Sequence, residues 1–209
     1  MNEIKSFLKS REKVNLLLVL INILIFVILE IKGNTEDAEF MLQNGASYAP
    51  YIVEEGKYYL LVTSMFLHFG IEHLAYNMLC LILMGDMLEK EVGKIRYLFI
   101  YFVSGIAGNI LSVFLNMKSG EYYVSAGASG AAYAIIGALF WLVIKSKGQA
   151  TGISVKQMAL LVVLYIAESV TSEGVDAGAH IGGLVVGFLL CALLTLSSGR
   201  KAKVYDGSM

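Results

Sequence analysis

Long apolar runs alternate with short charged patches along this chain of 209 residues. A helix needs about 20 mostly apolar residues to cross the hydrocarbon core of a bilayer. Six runs approach that length, at residues 14–31, 71–88, 95–116, 127–144, 155–170 and 177–197. The pattern therefore predicts an all-α polytopic membrane protein, with residues 1–209 forming a single domain of six transmembrane helices.

Lysine and arginine collect on one side of the predicted bundle. Only Lys32, Lys57 and Lys118 fall on the opposite side. The other basic residues lie in the two tails and in the turns after the second and fourth spans: Lys5, Lys9, Arg11, Lys13, Lys90, Lys94, Arg96, Lys145, Lys147, Lys156, Arg200, Lys201 and Lys203. Because the basic side of a membrane protein is normally cytoplasmic, we expect both termini inside.

The connection between the first two spans, residues 32–70, is long and lies on the predicted outer side. Loops of this length are usually functional or disordered. Its aromatic content argues against disorder, and tyrosine is enriched where a membrane meets water. The aromatic residues are Tyr48, Tyr51, Tyr58, Tyr59 and Phe66. We expect a loop embedded in the outer leaflet.

Composition agrees with a membrane protein: 57% of the residues are hydrophobic and 16% are charged. A soluble domain has about a quarter of its residues charged. Cys80 and Cys191 lie inside apolar runs, where a thiol is an ordinary small hydrophobe, so they do not predict a disulfide framework. The H-E-x-x-H signature of a zinc protease is absent, and three histidines without clustered carboxylates make a poor metal site.

Four polar residues fall at a similar predicted depth below the outer surface. His73 and Asn77 lie in the second span, Ser129 in the fourth and His180 in the sixth, and these three spans run in the same direction. His73 and Asn77 are four residues apart and therefore share a helical face. Polar groups inside a membrane are costly and tend to mark function.

This arrangement suggests nucleophilic catalysis. A serine hydroxyl becomes a good nucleophile when a neighbouring base takes its proton, and histidine is the usual base. Small residues in the fourth and sixth spans would let Ser129 and His180 approach each other. His73 and Asn77, with backbone N–H groups at the start of the fourth span, are candidates to stabilise an oxyanion. Tyr133, four residues after Ser129, could stack on the imidazole.

Structural interpretations of the same residues stay open at this point. A serine among small residues in a membrane helix is usually a packing residue. A histidine in a membrane helix can form a purely structural hydrogen bond. An asparagine such as Asn77, taken by itself, usually forms a hydrogen bond between helices. The shared depth of the four residues favours the catalytic interpretation over the structural one, although periodicity alone leaves the two nearly equal.

Four motifs resemble those of the rhomboid intramembrane serine proteases. They occur in the expected order across the second to sixth spans, and together they are far more specific than any one alone. They are HFGIEHLAYN (68–77, H-x4-H-x3-N), GDMLEKEVG (85–93, G-x3-E-x3-G), GASGAAYAIIG (127–137, G-x-S-G with a following tyrosine) and AHIGGLVVGF (179–188, A-H-x-G-G-x3-G).

The resemblance implies a catalytic role for four of these residues. Ser129 would be the nucleophile and His180 the general base, in a dyad without a catalytic acid. His73 and Asn77, with the N–H of Ser129, would form the oxyanion hole. Asp176, one helical turn before His180, suggests a triad, but the family works without such a residue.

The resemblance also implies supporting roles. Tyr133 would pack on His180, and Gly127 would allow close approach to the substrate backbone. His68 would be a structural member of the first outer loop, and Glu89 would belong to a structural hydrogen-bond network. One departure is that the aromatic–arginine pair often found in the family's first loop is missing, because Tyr59 and Leu60 stand there.

The expected function is that of an intramembrane serine endopeptidase in a minimal six-helix form. It would cleave single- or multi-span membrane proteins near the outer face of the bilayer, without a cofactor, metal, nucleotide or nucleic acid. We expect a multi-pass protein of a bacterial plasma membrane. The main alternative is an inactive rhomboid-like protein that binds transmembrane clients. A small transporter or channel is a second alternative, and Glu168 in the fifth span is the residue that the protease interpretation explains least.

Overall fold

The computed structural model describes residues 11–172 and 174–196, and the regular secondary structure in these residues is helical. In chain order, the α-helices are α1 (Lys13–Lys32), α2 (Ala38–Gln43), α3 (Ala49–Val53), α4 (Leu60–Thr63), α5 (Gly70–Cys80), α6 (Asp86–Val92), α7 (Lys94–Ser119), α8 (Ser129–Ser146), α9 (Val155–Thr171) and α10 (Ala177–Thr195). A 3₁₀ turn, Ser64–Phe66, follows α4, and a π-helical turn, Leu81–Gly85, joins α5 to α6.

Five helical segments in the described part of the chain are long and apolar enough to cross a membrane: Lys13–Lys32, Gly70–Val92, Lys94–Ser119, Ser129–Ser146 and Ala177–Thr195. This confirms an all-helical, polytopic membrane protein. Helix α9 coincides with the predicted fifth span but has only 17 residues. The prediction of six spans stays a prediction.

Some helices begin or end at residues other than the predicted ends of the spans. The fourth span was expected to begin at Gly127, but α8 begins at Ser129. Gly127 has a φ of +140°, which ordinary residues rarely adopt, so the chain turns there before the helix starts. The second span was expected to end at residue 88, but the helical segment continues to Val92 and is stopped by Gly93 at a φ of +83°.

Some residues used in the sequence interpretation lie outside the described residues. They include Ser197, at the predicted end of the last span, and five of the basic residues that predict orientation: Lys5, Lys9, Arg200, Lys201 and Lys203. The sidedness of the bundle therefore stays a prediction.

Helix α8 is the centre of the bundle, and α10 packs against it with backbone in contact with backbone. A Cβ added at Gly183 would collide with the carbonyl oxygen of Gly130, and one at Gly187 would collide with the carbonyl oxygen of Ala134. Small residues are what lets membrane helices come this close. The crossing brings the first turns of α8 and α10 together.

Glu89 fixes the start of α1 against α6. The carboxylate of Glu89 is buried and accepts hydrogen bonds from the backbone N–H groups of Val14 (3.2 Å) and Asn15 (2.6 Å). The first N–H groups of a helix have no partner within the helix, and a negative charge there is also favoured by the helix dipole. The Asn15 side chain continues the network by donating to the carbonyl oxygen of Leu81 and accepting from the hydroxyl of Tyr97.

Side-chain hydrogen bonds hold the first loop in place. Asn109 of α7 donates to the carbonyl oxygen of Leu61 at 2.8 Å and lies 3.2 Å from the hydroxyl of Ser64. The hydroxyl of Thr63 donates to the carbonyl oxygen of Gly45 at 2.7 Å. These bonds hold the segment just before α5 against the bundle. The depth of the loop in a bilayer stays a prediction.

Candidate active site

Two hydrogen bonds to the first loop hold the segment that leads into Ser129. The N–H of Gly127 donates to the carbonyl oxygen of Ser64 at 2.9 Å, and the N–H of Ala128 donates to Nε2 of His68 at 3.3 Å. Ser129 is then the first residue of α8 and half-buried. The site therefore sits where the first loop, the α7–α8 connection and the N-terminus of α8 meet.

Ser129 and His180 are brought into hydrogen-bond contact. The distance from Ser129 Oγ to His180 Nε2 is 2.7 Å, although 51 positions separate the residues in the chain. His180 lies in the first turn of α10 and is buried. The close α8–α10 crossing makes this contact possible. A serine with a histidine at this distance has the geometry of an activated nucleophile.

The second nitrogen of His180 also has a partner. His180 Nδ1 lies 2.9 Å from the hydroxyl of Ser169, a buried residue near the end of α9. If Nδ1 carries the ring proton and donates it to Ser169, Nε2 is left as the acceptor that faces Ser129. The imidazole is thus held between two hydroxyl groups.

Tyr133 stacks on the imidazole of His180. The ring centroids are 4.0 Å apart and the planes are inclined by 17°. The Tyr133 hydroxyl lies 2.8 Å from Glu168 Oε2 and 2.9 Å from the carbonyl oxygen of Tyr165. The structure thereby gives Glu168 a partner in the site, which the sequence interpretation lacked.

His73 lies on the other side of Ser129, across Gly127. His73 Nδ1 accepts from the N–H of Phe69 at 3.4 Å, so the proton of the neutral ring belongs on Nε2. A Cβ added at Gly127 would lie 2.9 Å from both Cε1 and Nε2 of His73 and 3.4 Å from Ser129 Oγ. The small volume around Gly127 is therefore bounded by a nitrogen donor and by the candidate nucleophile.

Asn77 is buried one turn further along α5. Its side-chain amide donates to the carbonyl oxygen of His73 at 2.9 Å. This bond uses one of the two amide hydrogens and leaves the other free to donate elsewhere. The predicted oxyanion-hole roles of His73 and Asn77 stay predictions.

Comparison with known proteins identifies the family. The family model described as the Rhomboid domain matches residues 55–197, which include every candidate site residue. The chain belongs to the rhomboid family. The resemblance inferred from the four motifs is thereby confirmed.

Several curated relatives are similar to this rhomboid. The Rhomboid protease GluP of Bacillus subtilis (strain 168) is 32% identical over 180 residues, covering 86% of this chain and 34% of the relative. RHOMBOID-like protein 6, mitochondrial, of Arabidopsis thaliana is 38% identical over 155 residues, covering 69% of this chain and 46% of the relative. The chain thus spans between a third and a half of the length of these relatives.

The Asp176 carboxylate of this rhomboid binds groups other than the His180 ring. Its carboxylate accepts from the N–H of Ala179 at 2.9 Å, from Ser112 Oγ at 2.6 Å and from Ser125 Oγ at 2.7 Å. It therefore caps α10 and ties that helix to α7 and to the α7–α8 connection. The ring partner is instead Ser169, which sequence reasoning missed because a serine in an apolar helix gives no signal of its own.

In this rhomboid, His68 is a buried hydrogen-bond acceptor. Its ring lies edge-on to that of His73, with centroids 5.3 Å apart. Burial, and then the neighbouring His73, lowers the pKa of His68 to about 3. The ring is therefore neutral at physiological pH, and its Nε2 can accept the N–H of Ala128.

Proposed function

We propose that this chain is an intramembrane serine endopeptidase that works with a Ser129–His180 dyad. The observation that carries the proposal is the 2.7 Å contact between Ser129 Oγ and His180 Nε2 in a member of the rhomboid family. The name of one relative, Rhomboid protease GluP, supports the same activity.

In the proposed reaction, Ser129 Oγ attacks the carbonyl carbon of the scissile peptide bond while His180 Nε2 takes its proton. The negative charge that develops on the carbonyl oxygen is stabilised by Nε2–H of His73, the free amide hydrogen of Asn77 and the N–H of Ser129. The tetrahedral intermediate then collapses: the C–N bond breaks, the imidazolium gives its proton to the departing amine, and Ser129 is left acylated. Water then attacks the acyl carbon while His180 Nε2 takes a proton from it, the bond to Ser129 Oγ breaks, and His180 returns the proton to Oγ as the carboxylic acid leaves.

Six membrane spans with both termini in the cytoplasm are part of the proposal. The 17 residues of α9 would extend about 26 Å at 1.5 Å per residue. That is only slightly shorter than the hydrocarbon core of about 30 Å, and a bilayer accommodates such a mismatch by thinning locally. The site at the start of α8 would then lie near the outer face, with the first loop embedded in the outer leaflet.

The proposed substrates are membrane proteins whose transmembrane segments can unwind near their outer ends. A helix in lipid has its backbone fully hydrogen-bonded, so its peptide bonds are protected until the helix opens. Segments with helix-breaking residues open most easily. A small residue just before the cleaved bond would suit the restricted volume around Gly127. The proposed location is the plasma membrane of a bacterium.

The test is cleavage of a single-span test substrate by the purified protein in liposomes. We expect the wild type to cut near the outer end of the substrate span, and Ser129→Ala and His180→Ala to lose at least about 1,000-fold in rate, because serine and histidine act as a unit. Ser146→Ala is a matched control, since this serine lies at the opposite end of α8 and bonds the carbonyl oxygen of Leu142. Equal cleavage by all four proteins would contradict the proposal. Binding of the substrate without cleavage would favour the inactive client-binding alternative.

A further inference from the structure

Helix α9 carries two adjacent polar residues, and each contacts one of the two stacked rings of the candidate site. Ser169 contacts His180 and Glu168 contacts Tyr133. Neither residue belongs to the motifs that identified the site. We propose that Ser169 and Glu168 are positioning residues that together fix the orientation of the His180 imidazole. This inference rests on the proposed protease function.

Ser169 acts on the ring through hydrogen bonding. The hydroxyl lies 2.9 Å from Nδ1 while Nε2 lies 2.7 Å from Ser129 Oγ. A hydroxyl that accepts from Nδ1–H selects the tautomer whose Nε2 can take a proton from Ser129. It also prevents the ring from rotating about its bond to Cβ. Ser169 is 1% exposed, so water does not readily replace it.

Glu168 acts one step further away, through Tyr133. The carboxylate oxygen is 2.8 Å from the Tyr133 hydroxyl, and the Tyr133 ring lies 4.0 Å from the ring of His180 at a small angle. A hydrogen bond at the far end of the phenol limits how the tyrosine ring can tilt, and the stacked imidazole is limited in turn. The carbonyl oxygen of Tyr165, also on α9, lies beside the same hydroxyl.

Both contacts come from a helix that is otherwise loosely buried. Met158, Val162 and Ser169 are the buried residues of α9, and Ser169 is the one nearest the site. The C-terminal end of α9 meets the core of the bundle through these polar contacts and through the edge-on pair of Tyr165 with Tyr133. A change in the position of α9 would therefore change the contacts of both the His180 and the Tyr133 ring.

The first test is the rate of cleavage by variants of Ser169. We expect Ser169→Ala to lower kcat about three- to tenfold, the cost of one ordinary hydrogen bond, with KM unchanged. Ser169→Cys has a similar volume and a weaker acceptor, so its kcat should fall between those of serine and alanine. A pure packing role would not produce that order. Thr171→Val on the same helix is the control, because the Thr171 hydroxyl bonds the carbonyl oxygen of Ala167 within that helix.

The second test is a double-mutant cycle between Tyr133 and Glu168. We expect Tyr133→Phe and Glu168→Ala each to lower kcat about threefold, and the double variant to lose no more than Tyr133→Phe alone, since both changes remove the bond between Tyr133 and Glu168. Glu168→Gln keeps an acceptor oxygen and should retain most of the activity. Titration of active sites with a fluorophosphonate probe counts folded enzyme, so a variant that folds poorly is corrected for.

The outcomes separate this inference from the function on which it rests. A wild type that cleaves, with Ser169→Ala equal to it in kcat or altered only in KM, would overturn the role of Ser169 and leave the protease function standing. Additive losses in the cycle would overturn the role of Glu168. A wild type that neither cleaves nor reacts with the probe would overturn both the function and the inference.

Discussion

The imidazole of His180 has a hydroxyl group at each of its two nitrogens, Ser129 at Nε2 and Ser169 at Nδ1. A carboxylate at Nδ1 would stabilise the imidazolium by its charge, whereas a neutral hydroxyl orients the ring with little added charge. The nearby carboxylate of Glu168 is bound to Tyr133 rather than to the imidazole. The ring is therefore held by hydrogen bonds and by stacking rather than by an ion pair.

His68 makes the stability of the fold depend on pH. Its pKa is about 3 in the folded protein, against 6.5 when unperturbed, so the unfolded chain binds more protons between these values. We therefore expect its contribution to stability to be complete above pH 6.5 and to be lost as the pH falls from 6.5 toward 3. Thermal unfolding in detergent, measured across this range, checks the direction.

The control for that prediction is His68→Gln. Glutamine offers an acceptor at a similar distance for the N–H of Ala128 but does not titrate. The decline in stability between pH 6.5 and pH 3 should be shallower in the variant than in the wild type. Identical pH dependence in the two proteins would mean that His68 is not the group responsible.

At the scale of helices, the site depends on how closely α8 and α10 cross. Gly183 faces the carbonyl oxygen of Gly130 so tightly that no Cβ fits between them, whereas a Cβ at Gly130 would lie 3.5 Å from the carbonyl oxygen of Ala179, an ordinary contact. The two glycines therefore differ in what they tolerate although they lie at the same crossing.

This difference gives a matched pair of substitutions. Gly183→Ala should destabilise the protein by about 1–3 kcal/mol, because the helices must move apart. Gly130→Ala should be neutral or slightly stabilising, since alanine is the better helix former by about 1 kcal/mol. Unfolding in a denaturing detergent titration measures both. A larger loss for Gly130→Ala than for Gly183→Ala would contradict the described crossing.

The apolar runs predict the long helices, and the polar residues within them predict that Ser129 and His180 lie close together, as the structure shows. Ser129 and His180 stand out because polar residues are rare in apolar spans, and their depth follows from counting along the helices. Ser169 could not be found in this way, because its contact depends on the relative rotation of α9 and α10. Asp176, one helical turn before His180, suggested a catalytic triad. In the structure its carboxylate instead accepts hydrogen bonds from the N–H of Ala179, at the start of α10, and from the hydroxyl of Ser112.

In the molecule as a whole, the two ends of the bundle are built differently. At one end Glu89 caps α1 and joins it to α6 through buried hydrogen bonds. At the other end the first loop, the α7–α8 connection and α9 surround Ser129, held by Asn109, His68 and Tyr133. The candidate chemistry thus lies at the end where loops and a loosely buried helix meet.

The Glu89 cap can be tested separately from catalysis. Removing the carboxylate in Glu89→Ala leaves the buried N–H of Asn15 and the part-buried N–H of Val14 without their acceptor, and a buried unsatisfied group costs about 1–3 kcal/mol. We expect a clear fall in the unfolding midpoint, with the folded fraction still able to react with a fluorophosphonate probe. An unchanged midpoint would contradict the structural role of this carboxylate.

The proposed Ser129–His180 dyad is tested most directly by identifying the residue that a fluorophosphonate probe modifies. The purified protein in detergent would be labelled, digested and examined by mass spectrometry, alongside His180→Ala and Ser146→Ala. We expect an adduct on Ser129 in the wild type and in Ser146→Ala, and labelling slower by at least about 1,000-fold in His180→Ala. An adduct on another serine, or equal labelling of Ser129 without His180, would contradict the claim that these two residues form a catalytic pair.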